Sequence, residues 1–169
     1  MNVLVVFAHP EPRSFTGAMR DVAVRVLTEA GHQVMQSDLY QMPFHPVPGW
    51  HDFQDHDRSD SFGYAADQKR ATEAGSFAPD LQSEMDKVSA CDLLLFVFPL
   101  WWYSMPAIMK GWVDRVFAYG FAYGGGRWFD QGVFFGKRAM LAVNIGGPES
   151  AYDPDGLQGS IEQILFPIH

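Results

Sequence analysis

The sequence predicts one α/β domain, with helices covering both faces of a doubly wound parallel sheet in three layers. Short apolar runs alternate along the 169 residues with segments of helical periodicity, which is typical of such a sheet. Three of the loops that follow the apolar runs are rich in aromatic, glycine or helix-capping residues. Because parallel strands end at one edge of the sheet, we expect these three loops to form one site.

The composition limits the class of protein. The hydrophobic content of 47% excludes a disordered chain, and the net charge of −8 without a basic block disfavours nucleic acid or an anionic membrane as partner. Cys91 is the single cysteine, so no internal disulfide can form, and we expect a quiet, half-buried thiol. Met1 leads directly into an apolar run without a signal sequence, and we therefore expect a cytoplasmic protein.

The first strand and helix enclose the first of the three loops. Residues 2–8 predict a buried, central strand, and residues 9–14 predict a turn. The helix that follows has Ser14 or Thr16 as its cap, ends at Gly31, and carries its apolar residues on one face: Phe15, Met19, Val22 and Val26. Its N-terminus is either an anion site or merely a capped helix. Neither the dinucleotide-binding nor the Walker glycine pattern is present, so no known phosphate-binding motif decides between these two interpretations.

The segment that follows the second strand has no regular pattern. Residues 33–39 predict a short strand that Asp38 ends, and residues 40–78 predict a long irregular loop. His45, His51 and His56 have no zinc-site spacing, so we expect solvated histidines and no metal. The aromatic residues of this loop predict packing against another surface, such as a partner subunit: Trp50, Phe53, Phe62 and Tyr64.

The middle of the chain carries the strongest signal. Pro79–Ala90 predicts a helix, and residues 93–98 predict a buried strand that Pro99 ends. Pro106 suits the start of the next helix. Between the two prolines lie Leu100, Trp101, Trp102 and Tyr103, and three adjacent aromatic rings in a short loop favour a planar ligand. Two prolines within the uncharged run argue against a membrane span.

The last third contains the remaining loop. Residues 118–137 predict an irregular, aromatic and glycine-rich stretch that favours a flat ligand, a dimer contact or a plain loop. Residues 138–143 predict a strand that leads into Asn144, Ile145, Gly146 and Gly147. A D-x-x-Q pattern, Asp155 to Gln158, predicts the cap of a final helix. In the strand order 2-1-3-4-5, an anion-type helix end would lie beside the aromatic loop, which predicts a flavin nucleotide.

Several segments together resemble a known family. They are AHPEPRSF at residues 8–15, SDLYQMPFHP at 37–46, FPLWWYSMPAIMKGWVDRVF at 98–117, GFAY at 120–123 and the Gly146–Gly147 pair. With these segments the chain resembles the NAD(P)H:quinone oxidoreductases of the DT-diaphorase group, which have a flavodoxin-like fold. The potassium-efflux ancillary quinone reductases are more distant relatives. The resemblance covers residues 2–169.

The resemblance implies FAD, with FMN as the alternative, bound at a homodimer interface. Its cofactor-binding residues would be His9, Ser14, Phe15, Thr16, Leu100, Trp101, Trp102, Tyr103, Asn144, Ile145, Gly146, Gly147 and Tyr152. Its substrate residues would be Trp102, Tyr103 and Tyr123, and its catalytic residues Tyr152 and Gln158. The implied activity is two-electron reduction of quinones by NAD(P)H in ping-pong order. The alternative is a regulatory subunit of a potassium-efflux-type transporter with secondary reductase activity.

Three positions depart from the family pattern. Gln158, two residues into the predicted last helix, replaces the active-site histidine, and an amide cannot take up a proton as imidazole does. Gly125 replaces a second tyrosine after the FAY motif, which predicts a wider slot. The fifth strand and its helix have no counterpart before His169, so we expect one domain over residues 1–169, truncated relative to the family.

Overall fold

The computed structural model describes residues 1–55 and 61–168. Its sheet has four parallel strands in the order β2-β1-β3-β4, and their bounds are β1 Asn2–Phe7, β2 Gln33–Asp38, β3 Leu93–Pro99 and β4 Arg138–Asn144. This order confirms the first four positions of the predicted 2-1-3-4-5 arrangement. Pro99 belongs to β3 and is in register with Asn144. The proline does not interrupt the strand there, because the N–H of the next residue, Leu100, donates to the Asn144 carbonyl at 2.9 Å and continues the ladder.

Helices cover both faces of the sheet, as predicted. Their bounds are α1 Phe15–Glu29, α2 Tyr64–Ala74, α3 Pro79–Ala90, α4 Ala107–Val116 and α5 Ile161–Leu165. One core cluster joins β1 and β3 to α3 and α4 through buried residues such as Leu81, Met109 and Trp112. On the other face, Val3, Val5 and Val97 pack against α1. No helix in the described ranges is long and apolar enough to cross a membrane.

The prediction that residues 40–78 are wholly irregular is wrong, because they contain α2 and a short 3₁₀ turn, Trp50–Asp52. The buried residues of α2 include Asp67 and Gln68, so the helix lacks the apolar stripe that reveals a helix in sequence. The buried Gln68 side chain accepts a hydrogen bond at its Oε1 from the Tyr119 N–H at 3.0 Å. Polar contacts therefore replace apolar packing on this helix.

The aromatic residues of this segment pack within the chain. The Trp50 and Phe62 rings lie 4.5 Å apart, and the Phe53 ring is buried 5.9 Å from Tyr64. The His45 and His51 rings contact each other at 4.5 Å, and His56 lies outside the described residues. Contact of this segment with a partner subunit stays a prediction.

A buried ion pair fixes this segment to α4. Arg115 and Asp52 are both fully buried, and the Arg115 Nη2–Asp52 Oδ1 distance is 2.7 Å. Arg115 also donates to the His45 carbonyl at 2.7 Å, and the Tyr64 hydroxyl donates to Asp52 Oδ2 at 2.7 Å. Burial and the Asp52 carboxylate raise the pKa of Tyr64, so its hydroxyl stays a donor. Both charges are therefore compensated.

The apolar residues of α1 do not all face the core, in contrast to the single packing face that their spacing suggests. Met19 packs against the sheet, whereas Phe15 is 72% exposed and Val22 and Val26 are half exposed. With the outer face of β3 and β4, these residues line an open apolar groove of about 580 Å³. No element among the described residues covers this side of the helix.

The predicted cap of the last helix is wrong. α5 begins at Ile161 with Ser160 at its N-cap, and Gln158 lies in the turn before it instead of two residues into the helix. Gly159 has φ +76°, a left-handed conformation that no helix accommodates, so the helix cannot start earlier. Leu157, predicted to belong to the helix, is exposed in that turn.

Candidate functional site

The three loops that follow β1, β3 and β4 meet at one edge of the sheet, as the sequence predicts. Thr16 in α1 donates a hydrogen bond from Oγ1 to Asn144 Oδ1 at 2.5 Å. The ring of His9 lies 6.3 Å from that of Trp101. The loop after β1 therefore contacts the other two loops directly, and Asn144 connects the end of β4 to the start of α1.

The N-terminus of α1 keeps free donors at this edge. Ser14 is the cap, since its Oγ accepts from the Gly17 N–H at 3.1 Å, whereas Thr16 is buried and bound to Asn144. Gly17 is required here, because a Cβ would lie 1.9 Å from the Pro12 carbonyl oxygen. None of the hydrogen bonds within residues 1–55 and 61–168 uses the N–H of Phe15 or Thr16. This arrangement suits an anion.

The loop before this helix is held by local bonds. His9 Nδ1 lies 3.0 Å from the Glu11 nitrogen and 2.9 Å from its carbonyl oxygen. The Arg13 side chain and backbone both donate to the Glu11 carboxylate, and these bonds lower the pKa of Glu11. Arg13 and Glu11 are exposed, so the pair orders the loop surface without a large energetic effect.

The aromatic loop after β3 is a two-residue reverse turn. Trp101 and Ser104 exchange two backbone hydrogen bonds of 3.1 Å each. The two central residues, Trp102 and Tyr103, have φ of 50° and 60°, the signs of a type I′ turn, which normally selects Asn-Gly. Bulky residues in this conformation are strained, and such strain is concentrated at functional sites.

This turn leaves two backbone donors and an aromatic side chain available for contact. No hydrogen bond among the described residues uses the N–H of Trp102 or Tyr103, and the Trp102 side chain is 95% exposed. Sequence reasoning missed Ser104 as the residue that closes the turn. The two-residue spacing between Trp101 and Ser104 was the available signal, but aromatic residues at the central positions concealed it.

A cavity of about 500 Å³ opens beside the turn. It is lined by Leu100, Trp101, Trp102, Tyr103, Tyr152 and Gln158. The Tyr152 hydroxyl donates to the Gly146 carbonyl at 2.7 Å, and the Tyr103 hydroxyl donates to Gln158 Oε1. Because these lining residues are uncharged and mostly aromatic, the cavity suits a flat, neutral ring system.

Two predicted site residues lie elsewhere. Tyr123 packs edge-on against Tyr119 at 5.2 Å and lines a separate cavity of about 460 Å³ with Trp128 and Phe129. The Phe15 side chain faces the apolar groove of α1 and not the aromatic cavity. Ile145 and Gly147 belong to the loop between Asn144 and Tyr152. The roles of all these residues stay predictions.

Comparisons with known proteins agree with this architecture. Residues 1–169 match a family described as having a flavodoxin-like fold. The chain is 44% identical to a ribosyldihydronicotinamide dehydrogenase-like protein of Penicillium crustosum, covering 100% of the chain and 66% of that protein. It is 40% identical to NAD(P)H dehydrogenase [quinone] 1 of Rattus norvegicus, covering 99% of the chain and 61% of that protein.

A solved structure gives the same result. A Klebsiella pneumoniae protein, provisionally named a quinone reductase, superimposes with a TM-score of 0.92 at 45% identity, over 99% of this chain and 68% of that one. The chain thus spans about two thirds of the length of the relatives it matches. It belongs to the flavodoxin-like fold family and is related, within that family, to the NAD(P)H dehydrogenase [quinone] proteins.

Proposed function

We propose that this protein is a flavin-dependent NAD(P)H:quinone oxidoreductase that transfers two electrons to a quinone. The observation that carries the proposal is an aromatic cavity of about 500 Å³ that lies close to a helix N-terminus with free donors. Asn144 connects the two, since its carbonyl accepts from the N–H of the cavity residue Leu100 and its side chain accepts from Thr16. A flavin nucleotide combines a flat ring system with a phosphate, and these two features match its two parts.

The residues present fit such a cofactor. The free N–H groups of Phe15 and Thr16 would bind a phosphate, with Ser14 and His9 ordering the loop around it. The N–H groups at Trp102 and Tyr103 would face the polar edge of the ring system. A bound flavin supplies the capacity to accept a hydride from a nicotinamide and to pass two electrons on. FAD is the proposed form, with FMN as the alternative.

The protein itself supplies orientation and fixed dipoles. Tyr152 donates to the Gly146 carbonyl, so its ring is held against the cavity while its hydroxyl oxygen can still accept a hydrogen bond. Gln158 has no acid–base function at neutral pH, which leaves Tyr152 as the proposed proton-handling group. Trp101 and Trp102 provide flat surfaces against which aromatic rings can pack. One cavity of this size favours alternating occupancy by nicotinamide and quinone, and hence ping-pong kinetics.

We further propose a homodimer in which Tyr123 completes the slot of the partner subunit. Tyr123, Trp128 and Phe129 form a separate surface, and Phe129 is almost fully exposed with φ 49°. Exposed aromatic patches of this kind are typical of interfaces. The single cysteine supports the cytoplasm as the proposed compartment. The relatives reported above are dehydrogenases and a quinone reductase, and none of them is named as a transporter subunit.

An anaerobic absorbance titration tests the proposal. Purified protein is mixed with FAD or FMN, freed of unbound flavin, and titrated with NADH or NADPH and then with a quinone. We expect the flavin absorbance to disappear with the nicotinamide and to return with the quinone, and extraction of the bound flavin distinguishes FAD from FMN. A protein that retains neither flavin contradicts the proposal. Tyr152→Phe should lower the rate, whereas Tyr40→Phe, the matched change outside the cavity, should not.

A further inference from the structure

We propose that the hydrogen bond between Tyr103 and Gln158 is a clasp that sets the width of the aromatic cavity, and thereby selects quinones by size. The inference rests on the proposed function for its choice of ligand. Its geometry is independent of that function. Tyr103 lies on the turn after β3, and Gln158 lies on the segment after β4, so their bond joins two strand-end loops across the cavity.

Gln158 is well placed to hold Tyr103 because its own position is fixed. Its backbone N–H donates to the Ala151 carbonyl at 2.8 Å, one residue before Tyr152. Gly156 allows this tight segment, because a Cβ there would lie 2.5 Å from the Ser150 carbonyl oxygen. The Gln158 side chain therefore extends from a compact anchor, and the acceptor that it offers to Tyr103 has a defined location.

Tyr103 has little else to hold its side chain. It is half exposed, and it is central in a two-residue turn with φ 60°. The other side-chain bonds at the cavity do not involve it, since Tyr152 donates to the Gly146 carbonyl. Loss of the Gln158 acceptor would free the phenol ring to turn toward solvent, which would widen the cavity on that side.

The chemical consequence is a preference among ligands. On the side of the cavity that the clasp bounds, next to the space proposed for the flavin rings, the formed clasp admits a single flat ring more readily than a larger fused system. Without it, fused rings gain access. One net hydrogen bond corresponds to roughly a threefold to tenfold equilibrium factor. We expect the affinity ratio of a two-ring naphthoquinone to a one-ring benzoquinone to rise by that factor when either partner loses its polar group. Gln158 acts here as a positioning residue.

The test is a double-mutant cycle with binding as its readout. The variants are Tyr103→Phe, Gln158→Leu, the double variant and Gln158→Glu, which retains an acceptor. Gln33→Leu at the opposite end of the sheet is the matched control. Calorimetry of the flavin-saturated protein, or of the flavin-free protein if none binds, gives the two quinone affinities.

Both single variants should raise the ratio, the double variant should raise it no further, and Gln158→Glu should restore it. Additive effects, or a ratio that none of the variants changes, would overturn the clasp. An absence of turnover in the wild type, with the expected pattern of affinities, would overturn the proposed reductase function and leave the clasp standing. The two hypotheses are therefore separated by one set of proteins.

Discussion

The conformation of Trp102 leads to an unusual prediction for stability, in which glycine is better than alanine. At most positions glycine destabilises a folded chain by about 0.5–1 kcal/mol relative to alanine, because the unfolded chain gains entropy. Trp102 has φ 50°, and a Cβ in that left-handed region costs about 1–2 kcal/mol. The second effect exceeds the first, so Trp102→Gly should be more stable than Trp102→Ala by about 0.5–1 kcal/mol.

Loss of the indole itself should contribute little to this difference. The side chain is 95% exposed, so its removal sacrifices almost no buried apolar area, and both variants lose it equally. Urea denaturation measures the effect as a shift in midpoint at constant slope. The melting temperature should differ by about 2–4 °C for each kcal/mol in a chain of this length.

A second pair of variants provides the control. Phe135 is also exposed in a loop, but it is not among the residues with positive φ. There the ordinary order should hold, with Phe135→Ala more stable than Phe135→Gly. If Trp102→Ala equals or exceeds Trp102→Gly in stability, the turn is not strained and the reasoning is refuted. Both Trp102 variants should bind flavin about threefold to tenfold more weakly, since an aromatic surface is lost.

Three further predictions concern the scaffold. Arg115→Met leaves the buried Asp52 carboxylate uncompensated and should lower the free energy of unfolding, measured by urea denaturation, by about 3–5 kcal/mol. The double variant with Asp52→Leu should recover part of this loss, and a loss below about 1 kcal/mol for Arg115→Met would contradict the pairing. Burial raises the pKa of the Cys91 thiol, so above about pH 8.5 only the unfolded chain releases the thiol proton. The free energy of unfolding should therefore fall as the pH rises above that value, and Cys91→Ala should lack this fall. Gly156→Ala should cost about 1–3 kcal/mol and weaken flavin binding, because its Cβ would displace the Ser150 carbonyl near the cavity; unchanged affinity would contradict that geometry.

Local patterns identified most of the architecture. β1, β3 and β4 are apolar runs, and β2 is a short segment in which apolar and polar residues alternate. Pro79 and Pro106 mark the starts of α3 and α4. Ser14 was correctly named as one of two possible caps. These features depend on neighbours in sequence, which is why they could be predicted without the fold.

The failures at α2 and α1 have one physical origin, which is that the deciding contacts are distant in sequence. α2 is stabilised by polar contacts such as that between Gln68 and Tyr119, 51 residues apart, and no local pattern reveals such a pair. The D-x-x-Q pattern predicts too early a start for the last helix, because the left-handed conformation of Gly159 does not follow from that pattern. The spacing of Phe15, Val22 and Val26 predicts a buried face of α1, but these residues are exposed, because burial of a helix face depends on which other elements pack against it.

The sequence by itself identified the strands and the three loops that follow them, and it predicted the kind of ligand that those loops favour, because buried strands and aromatic loops leave local signatures. The strand order was an expectation from the doubly wound fold class, and the structure confirms its first four positions. Only the tertiary structure decided how those loops meet. The Thr16–Asn144 bond spans 128 residues and the Tyr103–Gln158 bond spans 55. The tertiary structure also places Tyr123 outside the aromatic cavity, in a separate one. Which side chains share a cavity depends on the relative positions of whole elements, and this information lies in the packing.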